Sequence, residues 1–81
     1  MPAKKYYKDY YYHAITFDMK KIKWYEAEAY CAKNGFDPYT HYWIGHELIF
    51  VQTEGHLFDK HTIHKFKLED GIYIFVGKFM F

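Results

Sequence analysis

Arginine and serine are both absent from this sequence, and cysteine occurs once. Without arginine the chain lacks the side chain best suited to bidentate contacts with phosphates and base edges, which argues against sequence-specific reading of DNA. Without serine there is no serine nucleophile, and no glycine-rich loop is present to cradle phosphates. Cys31 cannot form an internal disulfide, so a reducing compartment is expected, with the thiol buried in a helix. No run of about twenty apolar residues is available to span a membrane, and no apolar segment near the start reads as a signal peptide. The expected setting is therefore the cytoplasm, with no membrane partner. The net charge is +1 with histidine neutral, so any basic site is local rather than a property of the whole chain.

What is abundant is aromatic: ten Tyr and eight Phe in 81 residues, with 25% aromatic content counting tryptophan. A chain of this length forms one domain and buries only roughly 60% of its unfolded surface, so large rings make an efficient core. Ten tyrosines exceed what such a core can hold with their hydroxyls satisfied, and several are expected half exposed. All eleven cations are lysine. Together with frequent Tyr, Phe and Ile, that bias fits an AT-rich coding sequence such as that of a phage or mobile element.

The single long helical pattern runs over 23–36, with Ile22, Tyr25, Ala29, Ala32 and Phe36 spaced to form the stripe that faces a sheet. Asn34-Gly35 provides the stop, and Phe36 can fold back on the last turn. Before it, Tyr10 to Phe17 reads as a strand apolar on both faces, with Tyr11, His13, Ile15 and Phe17 on one and Tyr10, Tyr12, Ala14 and Thr16 on the other. Asp18 is a candidate helix cap. After the break at Asp37-Pro38, strands are expected over Tyr39 to Ile44 and Leu48 to Thr53, with a bend at Gly45-His46. A hairpin at Glu54-Gly55 is expected to return Leu57 and Phe58 beside that second strand, with a turn at Asp59-Lys60-His61. Asp70-Gly71 marks the last hairpin. Counting outward places Leu68 opposite Tyr73, Phe66 opposite Phe75, Lys67 opposite Ile74 and Lys65 opposite Val76, the first four residues packing on the helix. Phe79, Met80 and Phe81 extend that strand. The expected fold is α+β: one helix on an antiparallel sheet of four to five strands, in the order β-α-β-β-β-β. Residues 1–9 read as an amino-terminal Lys/Tyr arm and 10–81 as the single α+β domain.

Function is carried by no catalytic motif. The six histidines, with Cys31, lack metal-ligand spacing: His61 and His64, three apart, share one side of a helix but fall on opposite faces of a strand, and no Cys-x-x-Cys or His-Glu-x-x-His frame occurs. No metal, cofactor or enzyme activity is expected. Trp24, Ala27, Cys31 and Gly35, with Trp43-Ile44-Gly45, resemble the first helix and a core motif of C-type lectin domains. The partner cysteines, calcium motif and length of that fold are missing, so the resemblance implies helix packing and not sugar binding.

Surplus aromatics point instead to binding. Tyr6, Tyr7, Tyr10, Tyr12, Tyr39, Tyr42, Trp43 and His46 are the candidate contacts for a protein partner, since Tyr and Trp anchor interfaces. The phage-like composition suggests an inhibitor of a host factor, for instance a defence nuclease, while a homodimer closing a sheet edge is equally permitted. The alternative is a single-stranded nucleic-acid module in which Lys4, Lys5 and Lys8 track phosphates while Tyr6 and Tyr7 stack on bases.

Overall fold

The densest β-forming run of the chain becomes the centre of the sheet. In the computed structural model, which describes residues 5–80, this run is strand β2 (Tyr10–Asp18), flanked on one edge by β4 (Glu47–Val51) and on the other by β6 (Ile72–Lys78). The outer strands are β3 (His41–Ile44) and β5 (His64–Glu69), giving the order β3-β4-β2-β6-β5 with every pairing antiparallel. The expected β-α-β-β-β-β order is present from β2 onward. A sixth strand, β1 (Lys5–Tyr7), comes from the stretch expected as an arm and pairs with Tyr10 and Tyr11 of β2. Because β6 holds the opposite edge there, β1 occupies the part of the β2 edge that β4 leaves free. Met1 to Lys4 and Phe81 lie outside the described residues.

The helix α1 (Trp24–Asn34) starts where the Glu26 carboxylate accepts the Lys23 backbone N–H at 3.0 Å. It stops at Gly35, which takes φ 76°, a left-handed conformation that glycine adopts without a Cβ penalty. The Phe36 N–H then donates to the Cys31 carbonyl at 2.8 Å, and its ring returns to the core. Asp18 does not cap the helix. Its carboxylate accepts the Lys20 N–H at 3.0 Å, in a turn that precedes the helix by several residues.

The buried stripe of the helix is Ala27 and Cys31, both 0% exposed, and not the expected Tyr25, Ala29 and Ala32, which all face water. Two stripes compete on this helix. Ala27 and Cys31 are small residues one turn apart that leave room in the cluster for the large rings of Phe17 and Phe50, with Tyr30 and Trp24 filling the flanks. The core beneath them is Ile15, Phe17, Leu48, Phe50, Ile72, Ile74 and Val76.

Two bulges set which face each ring takes. One lies between Tyr12 and Ala14 against β6, so Tyr10 and Tyr12 pack on the same core as Ile15 and Phe17, correcting the strict alternation expected for this strand. The other lies between Lys67 and Glu69, so Lys67 opposes Tyr73, Phe66 opposes Ile74 and Lys65 opposes Phe75, one residue off the counted register. The helix-facing residues of β6 are therefore Ile72, Ile74 and Val76, while Phe66 and Leu68 are partly exposed.

The segment after β4 forms no hairpin. It makes two short 3-10 turns, Gly55–Leu57 and Lys60–Thr62, the second capped by Asp59 as that turn signal implied. This segment covers one end of the second sheet face, where Phe58 packs against His13 and Phe79 and the Met80 N–H donates to the Leu57 carbonyl at 3.0 Å. Phe79 thus bridges Phe58 rather than extending β6. Among the described residues no helix is long and apolar enough to cross a membrane.

A Cβ on Gly77 would lie 3.0 Å from the Phe58 ring and 3.1 Å from Ile63. Gly77→Ala is therefore expected to destabilise by about 1–3 kcal/mol in a denaturant melt, as an overpacked site does. A second expectation concerns pH. Burial pushes the Cys31 thiol up to about 12 and raises Tyr12 and Tyr30 above their ordinary value. The unfolded chain loses these protons first, so stability falls as pH rises from about 9 towards 12. Melting across that range, with Cys31→Ala flattening the slope, checks it.

Candidate functional site

The candidate residues do not form one patch, because strand alternation and the sheet order divide them. On β3, the pairings His41 with Phe50 and Trp43 with Leu48 put His41 and Trp43 on the helix side, whereas Tyr42 opposite Ile49 and Ile44 opposite Glu47 face the other side. Trp43 there meets Trp24 at the start of α1, the two indoles stacked at 6.2 Å with an 18° interplanar angle. His41 sits edge-on to Trp24 at 5.3 Å, and Phe50 backs both. Trp24 and Trp43 remain 39% and 51% exposed.

On the opposite face Tyr42 and Ile44 border a shallow groove of about 320 Å³ whose floor includes Ala14, Thr16 and Ile49. Tyr39 is not in the strand. It lies in the preceding loop, where the Asp37 carboxylate accepts its N–H at 2.8 Å and Gln52 clamps Asp37 through both its N–H and its carbonyl. His46 is in the β3–β4 turn, exposed, with its carbonyl accepting the Met19 N–H.

The main chain of β3 is as informative as its side chains. The Val51 N–H donates to the Thr40 carbonyl at 2.8 Å. In an antiparallel ladder the inward-bonded residues alternate, so Tyr42 and Ile44 bond towards β4 and the N–H and C=O groups of His41 and Trp43 point away from it. All four residues of β3 are exposed, and the strand contains no lysine, proline, carboxylate or bulge. The other sheet edge is defended: β5 carries Lys65 and Lys67 and the bulge at Leu68.

The amino-terminal tyrosines build a second surface. Tyr6, Tyr7 and Tyr10 line a groove of about 410 Å³ with His64, Phe66 and Val76. Tyr6 stacks on Phe66 at 6.0 Å and 22° and meets Tyr12 edge-on at 5.4 Å. Tyr12 itself is withdrawn, wedged between Tyr6 and Phe36, with burial as the main cause of its raised pKa. Lys8 and Lys78 hold their ammonium groups over Tyr7 and Tyr10 at 5.4 and 5.2 Å. Lys5 is exposed on β1, and Lys4 lies outside the described residues.

No family model, curated protein or solved structure matches the chain. The geometry of these two surfaces is therefore what a functional reading can use.

Trp24, His64, Phe66 and Lys78 escaped sequence reasoning. In the sequence Trp24 belongs to a helix-packing pattern, and its pairing with Trp43 follows only from the helix rotation and the β3 register together. Phe66 keeps the expected helix-facing side, opposite Ile74, but it lies on the edge strand and stays 43% exposed. The histidines spread over the fold, His13 donating from Nδ1 to the Thr53 carbonyl at 2.8 Å and His56 lying 3.5 Å from Glu54. Among the described residues no three of His, Cys, Asp and Glu come together in a metal-holding group.

Exposure separates these rings from the core. Trp43→Ala, which loses the buried half of one ring, is expected to cost about 1–2 kcal/mol of stability, and Phe50→Ala about 3–5 kcal/mol, because only the second leaves a cavity. Urea unfolding of both variants checks the contrast.

Proposed function

We propose that this chain is a non-enzymatic binding protein that engages a protein partner by adding the partner's strand to β3. The observation that carries the reading is the undefended edge of β3, with outward main-chain groups at His41 and Trp43 and apolar rings on both sides. A strand laid along it alternates its side chains between the Trp24–Trp43 surface and the Tyr42–Ile44 groove, so the partner segment is apolar on both faces. Main-chain hydrogen bonds supply affinity and the two surfaces supply selectivity.

Magnitudes favour a specific contact of ordinary size. The exposed parts of Trp24, Tyr42, Trp43 and Ile44 amount to on the order of 400 Å², or roughly 10 kcal/mol of gross apolar burial. Association costs of about 4–15 kcal/mol offset much of that. A stable interface uses about 800 Å² per partner, so the contact extends beyond the strand; Tyr39 in the preceding loop, 86% exposed, is the neighbouring ring available for it. Cys31, the one thiol, is buried and held protonated, which suits a binding protein better than a thiol enzyme. The lysine-, tyrosine- and phenylalanine-rich composition supports a phage or mobile-element setting, in which the partner is a host factor such as a defence nuclease and the chain its cytoplasmic inhibitor.

Two substitutions separate main chain from ring. His41→Pro removes an outward donor, a change an edge strand tolerates, and Trp43→Ala removes the anchor ring. Nuclease-treated host lysate is passed over immobilised wild type and both variants at physiological salt, after sedimentation has fixed the oligomeric state. A stoichiometric protein lost from both variants, by about 2 kcal/mol or roughly 30-fold in affinity, is the expected outcome. A wild-type dimer that both variants dissociate identifies a second copy as the occupant. Retention of the same protein by both variants, with no dimer, removes β3 as the site.

A further inference from the structure

We propose that the groove between β1 and β5 binds single-stranded nucleic acid, with bases stacked on Tyr6, Tyr7, Tyr10 and Phe66 and phosphates held by Lys8 and Lys78. This site is independent of β3. It shares no residue with β3: its walls come from β1, β2, β6 and β5, and β5 is the edge of the five-strand path opposite β3.

Three observations converge on it. The groove, at about 410 Å³, falls in the range of ligand sites, and its walls are rings that leave usable faces: Tyr6 is 42%, Tyr7 62% and Phe66 43% exposed. Every base has a π-face, so such a wall accepts any sequence, and the absence of arginine is no obstacle where base edges are not read. The rim is cationic. Lys8 and Lys78 hold their ammonium groups over Tyr7 and Tyr10, and Lys78 is also ion-paired with Asp9 at 3.5 Å at the surface, so a phosphate at Lys78 takes the place of that carboxylate.

The third observation is backbone strain. Lys8 is the one non-glycine residue among those described with positive φ, at 52°, in the turn joining β1 to β2. That conformation is costly for any residue with a Cβ and free for glycine, so a lysine there trades backbone comfort for a cation at the rim. A peptide strand is the less suitable occupant, because β5 defends its edge with Lys65, Lys67 and a bulge.

The test is fluorescence anisotropy with short labelled oligo(dT) and oligo(U), titrated with the full chain from low to physiological salt. Binding of both is expected, with log affinity falling against log salt at a slope of about −1.4 for two phosphate contacts. Phe66→Leu keeps an apolar side chain but removes a stacking face, and is expected to weaken binding roughly fivefold or more. Lys8→Gly is expected to act in opposite directions, leaving the melting temperature equal or higher while reducing the salt slope by about 0.7. Trp43→Ala leaves oligonucleotide binding unchanged. No binding at low salt, equal affinity for duplex, or indifference to Phe66→Leu in a protein that melts as wild type each overturns the proposal, and none of these bears on β3.

Discussion

One short helix has to cover a sheet with more apolar surface than the helix can reach, and most of the molecule is arranged around that shortfall. Eleven residues make about three turns, near 16 Å of helix. Against five strands laid side by side it shields only the centre of one face. The helix contributes through two small residues: Ala27 and Cys31 take little volume in the cluster, where Phe17, Phe50 and Leu48 are fully buried. A larger residue at either position would lift the helix and open the core beneath it.

Everything the helix does not reach is covered by rings from elsewhere or not covered at all. At one flank Trp24 and Trp43 lean together over Phe50, and at the other Tyr6 folds across to Phe66 above Tyr12. On the far face the irregular segment through Phe58 and Ile63 shields the end near Gly77 and leaves the region of Tyr42 and Ile44 open. The two candidate surfaces are thus by-products of the same geometry. Each is a partial lid of aromatic side chains, rigid enough to hold shape and amphipathic enough to stay in water.

The elements were legible where the signal is local. Gly35 with a foldable Phe36 stops the helix, Gly45-His46 and Asp70-Gly71 turn the chain, and Asp59 caps its short turn, each through chemistry confined to a few residues. What failed was phase. The helix offers two apolar stripes, and only the size of the opposing rings selects Ala27 and Cys31 over Ala29 and Ala32. The bulges at His13 and Leu68 each insert one residue without any glycine or proline to announce them, and a one-residue shift reverses every later facing. The partner of Trp43 and the partner of Tyr6 both depend on those phases, which is why the individual rings could be nominated from the sequence and their groupings could not.

The pairing of β2 with β6 has a consequence for how the chain is made. Residues 10–17 lie against residues 72–78, so the central ladder of the sheet joins positions separated by most of the sequence. During synthesis Ile15 and Phe17 stay without their β6 neighbours until residues 72–78 have been made and have left the ribosome. The β3–β4 hairpin needs only a short loop to close, but the core needs both ends of the sequence. Such long-range pairing carries a high loop-closure cost and slow formation, so the chain passes through a sticky interval in which the apolar face of the unfinished sheet is open to aggregation or to a holding chaperone.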